Sequence, residues 1–97
     1  MTTKYIKHDA RPTKIGIAVL RARLSLRETQ EEFSDRFRVS KTTIHKWERG
    51  YVTRMQRVYQ EMLDALLKRL QAEGRLLPEA VVQTIFKDEV NEPIVRN

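Results

Sequence analysis

Apolar residues recur every three or four positions along most of this chain, the spacing that places side chains on one face of an α-helix. The first such stripe contains Ile17, Leu20 and Leu24, and Thr13 just before it suits the N-cap position of a helix. The pattern predicts a first helix over residues 13–24.

The second stripe is short and begins with a capping signal. Residues 29–32 read Thr-Gln-Glu-Glu, a capping box in which the first and last side chains can each bond the other's backbone amide. Phe33 and Phe37 follow, four residues apart on one face. We predict a helix over residues 30–37.

A third short stripe comes three residues later and contains Ile44 and Trp47. Ser40 suits its N-cap, and Gly50 suits the position just after its C-terminal end, where a left-handed residue is common. We predict a helix over residues 41–49, with both apolar side chains facing inward.

The back half predicts one long helix and one element of undecided type. Apolar residues recur at helical spacing over residues 53–73, and Gly74 stops the pattern. After Pro78, apolar residues at positions 81, 82, 85 and 86 fall on one helical face, although their β-branched content leaves a strand open. The expected fold class is all-α, with a short final helix or strand.

Composition removes several classes of chemistry. The 97 residues include three glycines, three prolines and no cysteine, which excludes disulfides, thiol catalysis and cysteine-based metal sites. His8 and His45 are the only histidines, and neither has a carboxylate at metal-ligand spacing. No glycine-rich phosphate loop is present. We therefore expect no metal, no cofactor and no enzymatic activity.

The charge is distributed unevenly. Residues 1–60 carry 14 Lys/Arg and 6 Asp/Glu, whereas residues 61–97 carry 5 Lys/Arg and 7 Asp/Glu. A basic front half indicates a surface that binds a polyanion, although an ordinary solvated basic surface would give the same count. No apolar run approaches the roughly 20 residues that a membrane span needs, and the N-terminus lacks an apolar signal core, so we expect a cytoplasmic protein.

The window from residue 30 to residue 50 carries a family resemblance. Gln30 opens it, Val39-Ser40 lies in the link, Ile44 faces inward, and Trp47-Glu48-Arg49-Gly50 closes it. Over residues 13–54 the chain resembles the phage-repressor-like, Xre-type family of helix-turn-helix DNA-binding domains. The resemblance implies a motif core made of Phe33, Phe37, Val39, Ile44 and Trp47.

The resemblance also has departures. Arg38 stands where the family usually has a glycine in the turn, and a left-handed conformation there costs a non-glycine residue roughly 1 kcal/mol. One long helix stands where the family has two short ones. By the same resemblance, Glu48 is expected to pair with Arg23 of the first helix, or else with Arg21, in a structural role.

In that family the third helix enters the major groove, so its outward residues are expected to contact bases. Lysine can donate to guanine, and threonine can touch a thymine methyl group. The residues expected to contact bases are Lys41, Thr42, His45 and Lys46. The residues expected to contact DNA phosphates are Gln30, Thr43, Arg49, Tyr51 and Arg54.

The chain outside the motif divides into three regions. Residues 1–12 form a basic arm that either tracks DNA or is a disordered terminus, and residues 91–97 form a tail. Residues 55–90 are expected to form a helical dimerisation region, because their apolar set is too wide for one contact. The alternative is that the last helix folds back on the long one and completes the core of a monomer. The dimerisation residues are expected to be Met62, Leu66, Leu70, Val82, Ile85 and Phe86.

Three functions remain open at this point. The first is a sequence-specific, dimeric transcriptional repressor of bacterial or phage type, associated with the nucleoid and bound to a near-palindromic operator in double-stranded DNA. The second is an antitoxin-type module that binds a protein partner through its C-terminal region. The third is a DNA-architectural or replication accessory factor, which would bend DNA with little sequence preference.

Overall fold

The computed structural model describes residues 10–90, apart from the side chain of Val90. That part of the chain folds into five helices and no strand, which confirms the all-α class and makes the last element a helix. The helices are α1 (Lys14–Leu26), α2 (Gln30–Phe37), α3 (Lys41–Glu48), α4 (Arg57–Ala72) and α5 (Glu79–Val90).

The first three helices begin at the predicted residues because their caps are local. The Thr13 hydroxyl accepts from the Gly16 amide at the start of α1, and the Ser40 hydroxyl accepts from the Thr43 amide at the start of α3. At the start of α2, Thr29 and Glu32 form both hydrogen bonds of the capping box.

Two of the predicted helix bounds are wrong by two residues or more. α1 runs two residues further than predicted, to Leu26, and Arg27 after it takes the left-handed conformation that ends it (φ 60°). α4 begins at residue 57 rather than 53. Val52 and Met55, in the loop before it, pack partly buried against the main core, so packing holds this loop outside the helix.

The main core joins α1 to α4 around a cluster of aromatic rings. Phe37 lies 5.2 Å from Phe33 and 5.9 Å from Trp47, measured between ring centroids, and Trp47 lies 5.6 Å from Tyr59 of α4. The buried residues of this main core are Val19, Ala22, Phe33, Phe37, Ile44, Trp47, Leu63 and Leu70.

A second, smaller core lies between α1 and α5. Its buried residues are Ile17 and Leu20 of α1 and Val82 and Phe86 of α5. α1 therefore contributes to both cores, and α5 is covered mainly by α1. None of the helices in residues 10–90 is both long and apolar enough to cross a membrane.

The two cores correct part of the predicted dimerisation surface. Leu70, Val82 and Phe86 are at most 4% exposed and are covered by the same chain, so they are not available to a second copy. The last helix does fold back within the chain, as the alternative expects, but it packs mainly on α1 rather than on the long helix α4, and Leu70 of α4 is buried in the main core. Met62 is exposed, and Leu66 and Ile85 are half-buried. The arm up to residue 9 and the tail 91–97 lie outside the described residues.

Candidate nucleic-acid interface

The two helices α2 and α3 are joined by a tight link of three residues. Arg38 is left-handed (φ 56°), as expected for this position, and its amide donates to the Asp35 carbonyl. The next amide, that of Val39, donates to the Ser34 carbonyl. Ser34 itself is buried, and its small side chain turns back to the Glu31 carbonyl. The link therefore has a fixed geometry despite its missing glycine.

The orientation of α3 is set by its apolar side. Ile44 is fully buried and Trp47 is 5% exposed, which anchors one side of the helix in the main core. Lys41, Thr42 and Lys46 are consequently exposed on the side away from the core. The resulting surface is short, positively charged and lacks acidic residues between positions 41 and 47.

A buried ion pair fixes the end of α3 to the other two helices. Glu48 is 3% exposed, and its carboxylate accepts from Arg23 Nε at 2.6 Å and Nη2 at 3.0 Å. Gln30 of α2 donates to the same carboxylate at 3.0 Å. The expected Arg23–Glu48 pair is confirmed. Because α1, α2 and α3 each contribute one partner, the network fixes the C-terminal end of α3 against the other two helices.

Four of the residues expected to contact DNA line one shallow cleft. The cleft has a volume of about 700 Å³ and contains the N-terminal end of α2, the outer side of α3 and the end of α5. Its lining residues are Arg23, Thr29, Gln30, Glu31, Lys41, His45, Arg49 and Glu89. The lining of this solvent-open surface therefore combines cations with two carboxylates, and one of the cations, Arg23, is already paired with Glu48.

The flanking residues differ in how free they are to contact a ligand. Arg54 is exposed in the loop before α4. Tyr51 is 40% exposed, and its ring lies edge-on to His45 at 6.1 Å between centroids. The Thr43 hydroxyl shares a hydrogen bond with the Ser40 hydroxyl at 3.0 Å, so it belongs to the start of α3. Gln30 has one amide hydrogen engaged by Glu48.

Sequence reasoning missed one acidic residue at this surface. Glu89 of α5 approaches Arg49, with 3.9 Å between the carboxylate oxygen Oε1 and the guanidinium nitrogen Nη2. No periodicity indicates this contact, because the two residues are 40 positions apart. Only the docking of α5 on α1 brings them together.

The N-terminal segment also meets the end of α3. The Arg11 amide donates to the Arg49 carbonyl at 3.0 Å, and a Cβ on Gly50 would lie 2.2 Å from the Arg11 carbonyl oxygen. Gly50 is therefore required here by close backbone contact as well as by its φ of +78°.

The described residues contain no group of three or more metal-binding side chains. Comparisons of the chain with protein-family models, with curated proteins and with solved structures find no match.

Proposed function

We propose that this protein is a sequence-specific DNA-binding transcriptional regulator that reads the major groove with α3. The observation that carries the proposal is the surface of α3: one side is locked in the core by Ile44 and Trp47, and the other presents Lys41, Thr42 and Lys46 to solvent. An α-helix fits the major groove, and lysine and threonine match base-edge chemistry.

The surroundings of α3 suit the phosphate backbone that would flank it. Arg49 and Arg54 lie just after the helix, and Gln30 starts α2 at the edge of the same cleft. Cations around a reading helix supply most of the non-specific affinity, and base contacts supply the selectivity. The basic excess of the first 60 residues agrees with such a partner. This function is binding and involves no catalysis.

We further propose that the regulator binds as a dimer and represses by occupying a two-fold operator. The exposed side of α4 is the surface available for this pairing. Val58 is 55% exposed and Met62 is 37% exposed, and Leu66 lies beside them. A dimer would place two copies of α3 about 34 Å apart, one turn of DNA.

A protein-interaction module remains the second candidate function, and one observation favours it. A groove of about 380 Å³ between α2 and α4 has the apolar residues Phe37, Met62 and Leu66, and Arg36 and Arg69 also line it. The same groove would accept a helix of another protein, as an antitoxin-type function requires. Selection of DNA sites separates the two functions.

The experiment is selection of bound sites from random duplex DNA, followed by affinity measurement on the selected site. Lys41→Ala or Lys46→Ala should lose about 1–3 kcal/mol on that site and relax preference at single base positions. Arg54→Ala should weaken all sequences about equally, because it contacts the backbone. Lys68→Ala, an exposed lysine of α4, is the matched control and should change nothing.

Each outcome of the site selection distinguishes between the candidate functions. Enrichment of a two-fold motif supports a dimeric regulator. Binding that bends the DNA but enriches no motif supports an architectural factor. No enrichment at all, or a selected motif that Lys41→Ala and Lys46→Ala leave unchanged, would show that α3 does not read bases.

A further inference from the structure

The C-terminal end of α5 lies at the edge of the candidate nucleic-acid interface. Glu89 lines the same cleft as Lys41, His45 and Arg49, and its carboxylate is 3.9 Å from the Arg49 guanidinium. The acidic end of the last helix thus meets one of the cations expected to contact DNA phosphate.

A phosphate and the Glu89 carboxylate would compete for the same guanidinium. Both are anions, and a phosphate bound to Arg49 would lie within a few ångströms of the carboxylate, where like charges repel. The Arg49 side chain is 24% exposed and that of Glu89 is 44% exposed. An ion pair this long and this accessible is weak, so it restrains Arg49 without blocking it.

The position of Glu89 follows from how α5 is held. Before α5, the Leu77 amide donates to the Ser25 hydroxyl at 2.9 Å, and Arg21 donates to the Leu77 carbonyl at 2.7 Å. Val82 and Phe86 then pack into the second core. These contacts tie the start and the middle of α5 to α1, so that its last turn projects toward the end of α3.

We propose that α5 is an intramolecular competitor of DNA: Glu89 restrains Arg49 through a weak ion pair in the free protein and so lowers the affinity for the phosphate backbone. This inference rests on the proposed DNA-binding function. The affinity of the protein for DNA is then set in part by α5, a helix that does not contact the bases. Any change that removes the Glu89 charge, or undocks α5 from α1, raises affinity.

The test measures binding of a fluorescently labelled duplex of arbitrary sequence at low salt, by anisotropy, with the full chain. Glu89→Gln should bind roughly two- to five-fold more tightly than the wild type, the range that a surface ion pair spans. Asp88→Asn is the matched control, because it removes the same charge one residue away and Asp88 forms no ion pair among the described residues. Its gain should be clearly smaller.

A double-mutant cycle then assigns the effect to the contact. In an Arg49→Gln background, Glu89→Gln should gain no more affinity than Asp88→Asn does, because the ion pair is gone and only the general repulsion between the carboxylate and the phosphates is removed. The melting temperature of Glu89→Gln should equal that of the wild type. Tighter DNA binding by a variant of unchanged stability shows that the gain in affinity does not come from unfolding.

Three results would overturn the inference. Wild-type affinity for Glu89→Gln shows that the carboxylate does not compete. An equal gain in Asp88→Asn, or a Glu89→Gln gain of undiminished size in the Arg49→Gln background, assigns the effect to net charge. In each of these cases the wild type still binds duplex, and the proposed function stands. If neither the wild type nor Glu89→Gln binds duplex, the proposed function and this inference fail together.

Discussion

At the scale of single residues, Gly16 determines how closely two helices approach. A Cβ added there would lie 2.6 Å from the Trp47 carbonyl oxygen and 2.9 Å from the Glu48 carbonyl oxygen. α1 therefore crosses the end of α3 at backbone contact distance. This close approach lets Arg23 of the same helix reach the buried Glu48 carboxylate. The orientation of α3 therefore depends on the absence of a side chain at Gly16 as well as on the Arg23–Glu48 ion pair.

Gly16→Ala should destabilise the fold by about 2–3 kcal/mol, because the backbone carbonyls that it meets can move only if the helices separate. Thermal unfolding followed by circular dichroism measures the loss. Gly74→Ala is the control: a Cβ there meets nothing within 4 Å, so only the positive φ of +70° should cost, about 1 kcal/mol. Equal melting temperatures for the two variants would contradict the close approach of α1 and α3.

At the scale of elements, α5 takes part only in the smaller of the two cores. Its buried contribution is Val82 and Phe86, whereas α1 contributes to both cores and α4 contributes Leu63 and Leu70 to the main one. Few buried apolar residues mean a low local free energy of opening. We therefore expect α5 to open while α1 to α4 stay folded.

Amide hydrogen exchange should show this hierarchy directly. The α5 amides should exchange through openings that cost less free energy than those of α1 and α4. Phe86→Ala should accelerate exchange in α5 strongly and in α4 little, because Phe86 belongs to the second core alone. Protection in α5 equal to that in α1 would mean that the five helices unfold as one cooperative unit.

At the scale of the whole molecule, residues 10–90 leave an apolar surface along α4 partly uncovered. Val58, Met62 and Leu66 lie along α4 next to the groove lined by Arg36 and Arg69. An exposed apolar stripe of this kind on a helix suits a partner. Under the proposed function the partner is a second copy, which brings two α3 helices to one operator.

Under the proposed pairing through α4, the combined change Val58→Lys and Met62→Lys should give a folded monomer whose melting temperature is lowered only by the loss of the partner. Analytical ultracentrifugation measures this, since two chains of 11.5 kDa give a dimer of about 23 kDa. Operator affinity should fall to that of a half-site. Leu70→Lys is the contrasting control, because Leu70 is fully buried within one chain and should cause unfolding. A wild-type monomer at tens of micromolar would exclude pairing through α4.

Structural features that depend only on residues close together in the chain could be predicted from the sequence. Helix starts at Thr13, Thr29 and Ser40 were predictable because each cap bonds an amide two or three residues ahead. The stop signals at Gly50 and Gly74, and the inward face of α3, follow from the same local chemistry. The outward side of α3 could be identified for this reason, whereas the expectation that it contacts DNA rests on the family resemblance.

What covers each apolar face could not be predicted from the sequence, because it depends on how the helices pack. Periodicity shows that a helix has an apolar side, but it does not show whether the same chain or another one packs against it. Leu70, Val82 and Phe86 were therefore assigned to a dimer although they lie inside one chain. The contact of Glu89 with Arg49 and the approach of Gly16 to Trp47 join residues far apart in sequence, so they exist only once α1 has docked against α3 and α5.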